Sequence, residues 1–225
     1  MRWISDGCRV VVINVFARSG WTNRGWVRER EYFRDMDAVT TLRRGEELAV
    51  AREVGHEVEF LDFFDEMSRS RRARLVGLIG HGIIPRRNSA ILRDVDTSLS
   101  DRIEAADTVI FPLGLGEIPN PDHTLLAQLG IEFALRGYRV EFFEDLPYAA
   151  TVESVIAPFY DQFVMTPIGT EIDLDRKMEI IELYESQLSP SWRDQIRAHA
   201  LRIDPSQPHE RRWQVSGVAA GVPSQ

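Results

Sequence analysis

Short apolar strands alternate with helix-length amphipathic segments along this chain, and that alternation constrains its fold more than any other feature. Residues 9–17 (RVVVINVFA) are β-branched and almost continuously apolar, the pattern of a strand buried on both faces. Residues 42–54 are amphipathic, with Leu48, Ala51 and Val54 on one face, and Gly55 stands where a helix C′ residue is expected. Residues 56–60 read as a short strand, and residues 98–106 as a helix opened by Ser98 or Ser100. Residues 108–113 (TVIFPL) form a second buried strand running into Gly114-Leu115-Gly116. Residues 124–136 are a helix closed by Gly137, and residues 138–143 a further strand. Residues 163–168 suit another strand, and 173–188 a helix with Leu174, Met178, Ile181, Tyr184 and Leu188 on its apolar side. Strands separated by such helices predict parallel crossovers, hence an α/β, Rossmann-like, doubly wound and mostly parallel sheet. No repeat or linker divides the chain. A single domain over residues 1–215 is expected, followed by a disordered tail at 216–225 (SGVAAGVPSQ).

Composition narrows the function. The 225 residues suffice for one sizeable core, and no apolar run approaches the ~20 residues of a membrane-spanning helix. With 35 acidic against 27 basic residues and a net charge of −8, the chain lacks the basic balance of a general nucleic-acid binder. Pairs such as Arg71-Arg72 and Arg86-Arg87 read as solvated loops. The single cysteine, Cys8, excludes an internal disulfide and any multi-cysteine metal site, and fits a reducing cytoplasm. The opening residues lack the apolar stretch of a signal peptide. The expected partner is a small molecule, with neither nucleic acid nor membrane.

In open sheets of this kind ligands bind beyond the carboxyl ends of the strands. That rule selects residues 19–34, an irregular loop, together with 114–123 and 144–148. The middle segment carries most information: Gly114 and Gly116 allow a sharp turn, Pro119 and Pro121 stiffen it, and Asp122 and His123 arrive at a helix start. A helix N-terminus favours neutral imidazole, the form that binds a metal, and a nearby carboxylate can hold the other ring nitrogen. The plainer reading has Asp122 capping the helix and His123 exposed in its first turn. Gly114-x-Gly116 alone is an incomplete dinucleotide fingerprint, and the prolines disrupt it.

Residues 114–148 resemble the LmbE/PIG-L family of zinc-dependent N-deacetylases. In that family an HPDH-type motif follows a strand and a YEDLPY-like segment ends the next one; here the two read Asn120-Pro121-Asp122-His123 and Phe142-Phe143-Glu144-Asp145-Leu146-Pro147-Tyr148. Further pieces follow in order: Asn14-Val15-Phe16-Ala17, the R-x-x-E helix at Arg43 and Glu46, the strand at 54–61, and Tyr184-Glu185-Ser186-Gln187. The resemblance covers about residues 9–190. It implies zinc-dependent removal of an N-acyl group from an amino sugar or related natural-product intermediate. Carried over, His123 is a metal ligand, Asp122 its orienting carboxylate, and Asn120 holds the oxyanion-stabilising place. Arg43 and Glu46 take a substrate-binding or structural role.

Two departures bear on catalysis. Asn120 stands where the family has histidine, and an amide donates a hydrogen bond but carries no mobile proton. The family's AHPDD motif, which supplies two zinc ligands and the general base, is not found in these residues. Zinc is therefore expected only if those N-terminal ligands are supplied. Asp62, Asp65, Glu66 and His81 are substitutes by position but read as solvated loop residues, while His56, His199 and His209 look incidental. The motif belongs to a first, central strand between those at 9–17 and 108–113. Its loss opens a gap of roughly 10 Å, twice the strand spacing of about 4.8 Å. The expectation is that the natural protein begins further upstream and that Met1 is an internal codon. The alternative is a non-catalytic relative, a binding or partner subunit whose oligomer covers the open sheet.

Overall fold

The computed structural model describes residues 2–20, 36–69, 90–104, 107–114, 120–151, 160 and 163–218. Residues 21–34 of the loop expected at 19–34, most of the basic stretch with His81, residues 115–119 and residues beyond 218 lie outside them. The chain is α/β and divides into two compact units, Met1–Gly80 with Asp173–Arg193, and His81–Ile172 with Asp194–Gln225. No helix among the described residues is long and apolar enough to cross a membrane.

The first unit opens with α1 (Arg2–Ser5) and β1 (Val11–Asn14), then α2 (Met36–Val54), β2 (Glu57–Phe60) and α3 (Glu66–Arg69). β1 pairs in parallel with β2, Val11 opposite Glu57 through Asn14 opposite Phe60. Helix α2 ends as the sequence predicts: Gly55 has φ +88°, a conformation that costs glycine little. It buries Val39, Thr40, Glu46, Val50 and Ala51. Helix α6 (Leu174–Ile181) is shorter than the 173–188 segment predicted. Asp173 caps it by accepting from the Arg176 amide at 2.9 Å. Beyond it the amides of Leu183 and Tyr184 tighten to bonds three residues back, on Ile180 and Ile181, and the Ser186 amide leaves the local ladder for Glu46 in α2.

The second unit contains α4 (Ala90–Ser100), β3 (Thr108–Pro112), α5 (Pro121–Leu135), β4 (Arg139–Phe143), β5 (Phe163–Glu171), α7 (Pro190–Ile203) from Asp194 onward and β6 (His209–Val218). The helix expected at 98–106 lies earlier. Leu92, Val95 and Leu99 form its buried face, and Ser100 sits at its end with its hydroxyl on Asp96. The sheet order is β3-β4-β6-β5. β3 and β4 are parallel, joined through α5 as predicted, but β6 enters antiparallel to both β4 and β5. This sheet is mixed rather than mostly parallel. β6 also carries the chain past Ser216, with Gly217 opposite Val164 and Val218 opposite Phe163, so residues 216–218, expected in the tail, are strand. Among the described strands β1 pairs only with β2, and β3 only with β4.

The core of this unit is aromatic. Phe111, Phe133, Phe142 and Tyr160 pack in tilted and edge-on pairs with centroid separations of 4.9 to 6.4 Å. Gly130 lets α5 lie directly on them: a Cβ there would sit 2.6 Å from Phe142 and 2.9 Å from Phe111. The glycine inside a helix is therefore a packing requirement, and it fixes the height at which the N-terminus of α5 stands over the ends of β3 and β4.

Candidate active site

β3 and β4 run in register to Pro112 and Phe143, so the segments beginning at Leu113 and Glu144 leave the same edge of the sheet. Gly114 turns the first with φ +68°. Tyr160 fastens that turn by donating its hydroxyl to the Leu113 carbonyl at 2.9 Å. Burial, with the nearby Asp145 charge, pushes the Tyr160 phenol well above its ordinary range. It remains a neutral donor.

Helix α5 is capped by Asn120, not by Asp122. The Asn120 Oδ1 accepts from the amides of Asp122 at 2.9 Å and His123 at 3.4 Å, and Pro121 fills the first helical position. The cap starts the helix three residues before the expected position and presents His123 from its first turn. The Asn120 amide group donates to the Tyr148 hydroxyl at 3.3 Å. Tyr148 in turn meets the His123 ring edge-on, with centroids 5.4 Å apart.

The decisive contact is between His123 and Asp145. His123 Nδ1 lies 2.9 Å from Asp145 Oδ2. Because a carboxylate only accepts, Nδ1 is the donor, and in the neutral ring this leaves the lone pair on Nε2. Asp145 is 1% exposed, while the imidazole keeps 32% of its surface open. The orienting carboxylate is thus Asp145 from the end of β4. Asp122, expected in that role from the sequence, is the neighbour along the helix and is itself buried.

Arg43 and Glu46 belong to the first unit and do something different. Glu46, 7% exposed, accepts from the Ser186 amide at 2.6 Å, the Ser186 hydroxyl at 2.7 Å and Gln187 Nε2 at 3.3 Å. Arg43 donates to Gln187 Oε1 at 2.6 Å, and Tyr184 donates to Glu47 at 2.9 Å. Two motif pieces widely separated in sequence therefore clasp each other. Burial and the Glu47 charge raise the Tyr184 phenol strongly, so it too stays protonated.

The substitutes weighed from sequence are engaged elsewhere. Asp62 pairs with Arg44, Asp65 lies 3.6 Å from Arg43, and Glu66 opens α3. His56 Nε2 is buried without a hydrogen bond, 3.8 Å from Glu47, and His209 donates to the Gln207 carbonyl. His199 is not incidental: it is buried and bonded to Glu144 at 2.8 Å. Sequence reasoning assigned no role to Asp145, Tyr148 or Tyr160. The Glu-Asp-Leu-Pro-Tyr run was the available signal for the first two. Among the described residues, no group of three or more His, Cys, Asp or Glu is placed to hold a metal ion.

No protein-family profile and no curated protein matches the sequence. Solved structures do match it. The A40926 pseudoaglycone deacetylase Dbv21 superposes with a TM-score of 0.67 at 22% identity, covering 96% of this chain and 89% of that one. This chain has the fold of a deacetylase. The zinc-inhibited form of teicoplanin deacetylase Orf2 gives a TM-score of 0.69 at 18% identity, over 98% and 92% of the two chains. The N,N'-diacetylchitobiose deacetylase of Pyrococcus horikoshii gives 0.53 at 18% identity, over 94% and 74%.

Proposed function

We propose that this protein is an LmbE/PIG-L-like hydrolase that removes an N-acyl group from an amino sugar or a glycosylated natural-product intermediate. The observation that carries the proposal is the His123–Asp145 pair: an imidazole fixed through Nδ1 by a buried carboxylate, with Nε2 left for chemistry at the carboxyl edge of the sheet. The deacetylases that share the fold act on molecules of this class.

The resemblance implies zinc. The described residues provide one suitable imidazole and no three-donor group, so they do not by themselves fit a zinc ion. His123 Nε2 accepts a proton as water attacks the acyl carbonyl. Asp145 stabilises the imidazolium that forms, a contribution of about 10²–10⁴-fold for a placed general base. The Asn120 amide group and the Tyr148 hydroxyl, 3.3 Å apart, are donors for the developing oxyanion. When the tetrahedral adduct collapses, the C–N bond breaks and His123 returns the proton to the amine, leaving a carboxylic acid and a free amino group. Asp122, buried in the same first turn, supports the loop rather than the proton transfer. Arg43 and Glu46 act as a clamp on residues 184–187, and the protein works in the cytoplasm.

A second reading, a non-catalytic binding or partner subunit, is favoured by one observation. The Asn120 oxygen is committed to the helix cap and its nitrogen to Tyr148, leaving less freedom than an imidazole has. Incubating the protein with N-acetylated amino sugars and glycopeptides, with mass spectrometry of the products, separates the two. Free amine and acid formed by wild type and lost in His123→Ala support the hydrolase. Saturable binding with no turnover supports the subunit.

A further inference from the structure

Next to Asp145, and facing away from His123, lies a second cluster that the proposed reaction does not use. Glu144 is buried, and each of its oxygens is occupied. Oε1 accepts from Arg211 Nε at 2.6 Å and Trp213 Nε1 at 3.1 Å, and Arg211 NH2 lies 2.6 Å from the same oxygen. Oε2 accepts from His199 Nε2 at 2.8 Å. The histidine's other nitrogen receives Arg202 NH2 at 3.3 Å, which fixes the Nε2–H tautomer. Arg202 also donates to the Ala150 carbonyl at 2.6 Å, two residues past Tyr148. The Arg211 guanidinium lies over the Trp213 ring, 5.0 Å from its centre. Helix α7 and strand β6 thus converge on one carboxylate at the end of β4.

Glu144 is buried and already holds His199, Arg211 and Trp213, so its part in any reaction is indirect. Consecutive residues leaving a strand point to opposite sides, and here Glu144 turns toward β6 and α7 while Asp145 turns toward His123. Holding one Cα–Cβ bond holds the direction of the next. The geometry points to Glu144 as a positioning residue: the His199–Glu144–Arg211–Trp213 cluster sets the rotation of the 144–148 segment, and through Asp145 it sets the tautomer and orientation of His123. This rests on the reading of His123 as the reactive imidazole, but the device itself exists in the free protein. It resembles in principle the outer partners that orient histidines in other active sites, where their loss costs about 10–100-fold in function.

The test reads the ring directly and needs no substrate. In the full chain, nitrogen-15 NMR of the imidazoles, assigned by the signal lost in His123→Ala, should show His123 protonated on Nδ1. Glu144→Gln should remove that single-tautomer signature while circular dichroism stays native. If Glu144→Gln does not fold, Trp213→Phe, which deletes one donor and little volume, should show the same loss in part. Val140→Ala, a core change in the same strand, should leave the signature intact. A wild-type signature in folded Glu144→Gln, or in Trp213→Phe if that is the variant that folds, overturns the inference. So does its equal loss in Val140→Ala, which would mark general loosening. Should the protein also turn over an N-acetyl amino sugar, Glu144→Gln should lower kcat about tenfold or more with KM little changed. Failure of turnover alone leaves the ring measurement decisive.

Discussion

Replacing Glu46 by alanine isolates the clasp between α2 and the segment after α6. The carboxylate takes three donors: the Ser186 amide, the Ser186 hydroxyl and the Gln187 amide group. The hydroxyl can rotate and the Gln187 bond is long, so the chief loss is the backbone amide of a buried residue. Leaving such a donor unpaired costs about 1–3 kcal/mol, and a bond to a charged acceptor is worth about 1.5–3 kcal/mol. Alanine regains only a few tenths of a kcal/mol in helix propensity. The net expectation is a loss of about 3 kcal/mol, with Glu46→Gln losing roughly half of that because one acceptor oxygen survives. Urea unfolding followed by circular dichroism gives the stability change, and hydrogen exchange at the Ser186 amide gives the local one. A midpoint shift worth less than about 0.5 kcal/mol, with Ser186 protection unchanged, would refute the clasp.

Three other perturbations follow from the same geometry. Gly45 lies inside α2 with open space where a Cβ would go, so Gly45→Ala should raise stability by about 1 kcal/mol in the same urea titration. Gly130→Ala should do the reverse, costing more than about 2 kcal/mol, because its Cβ meets Phe142 and Phe111 well inside contact distance; insoluble or markedly less stable protein is the expected readout. The pH dependence has a definite sign at Glu144. Burial works against its charge, but the bonds from His199, Arg211 and Trp213 outweigh it and hold the carboxyl below its ordinary 4.5. Its contribution is then complete above that value and lost as pH falls through the lower folded one. Glu144→Gln should flatten the acid limb of stability against pH.

The parts of the fold legible in sequence were those specified locally. The apolar run at residues 9–17 contains β1, and the glycines at 55 and 137, with φ +88° and +89°, end α2 and α5 where expected. β6 escaped notice because His-Glu-Arg-Arg-Trp carries its charges on a strand whose arginines find partners in β4 and beside it, at Glu141 and Glu144. The helix after Asp173 was drawn too long because periodicity continues through Leu188, whereas Ser186 and Tyr184 answer to α2. In the site, the histidine was identifiable from its motif, but its carboxylate partner lies 22 residues on. A local reading favours Asp122; only the parallel pairing of β3 with β4 brings Asp145 under the ring.

Comparing wild type, Asp145→Asn and His123→Ala for release of free amine from an N-acetylated amino sugar tests the reactive pair most directly. The proposed chemistry predicts turnover by wild type, a loss of about 10²-fold or more in Asp145→Asn with the fold intact, and no turnover in His123→Ala. Equal rates in all three proteins would contradict it.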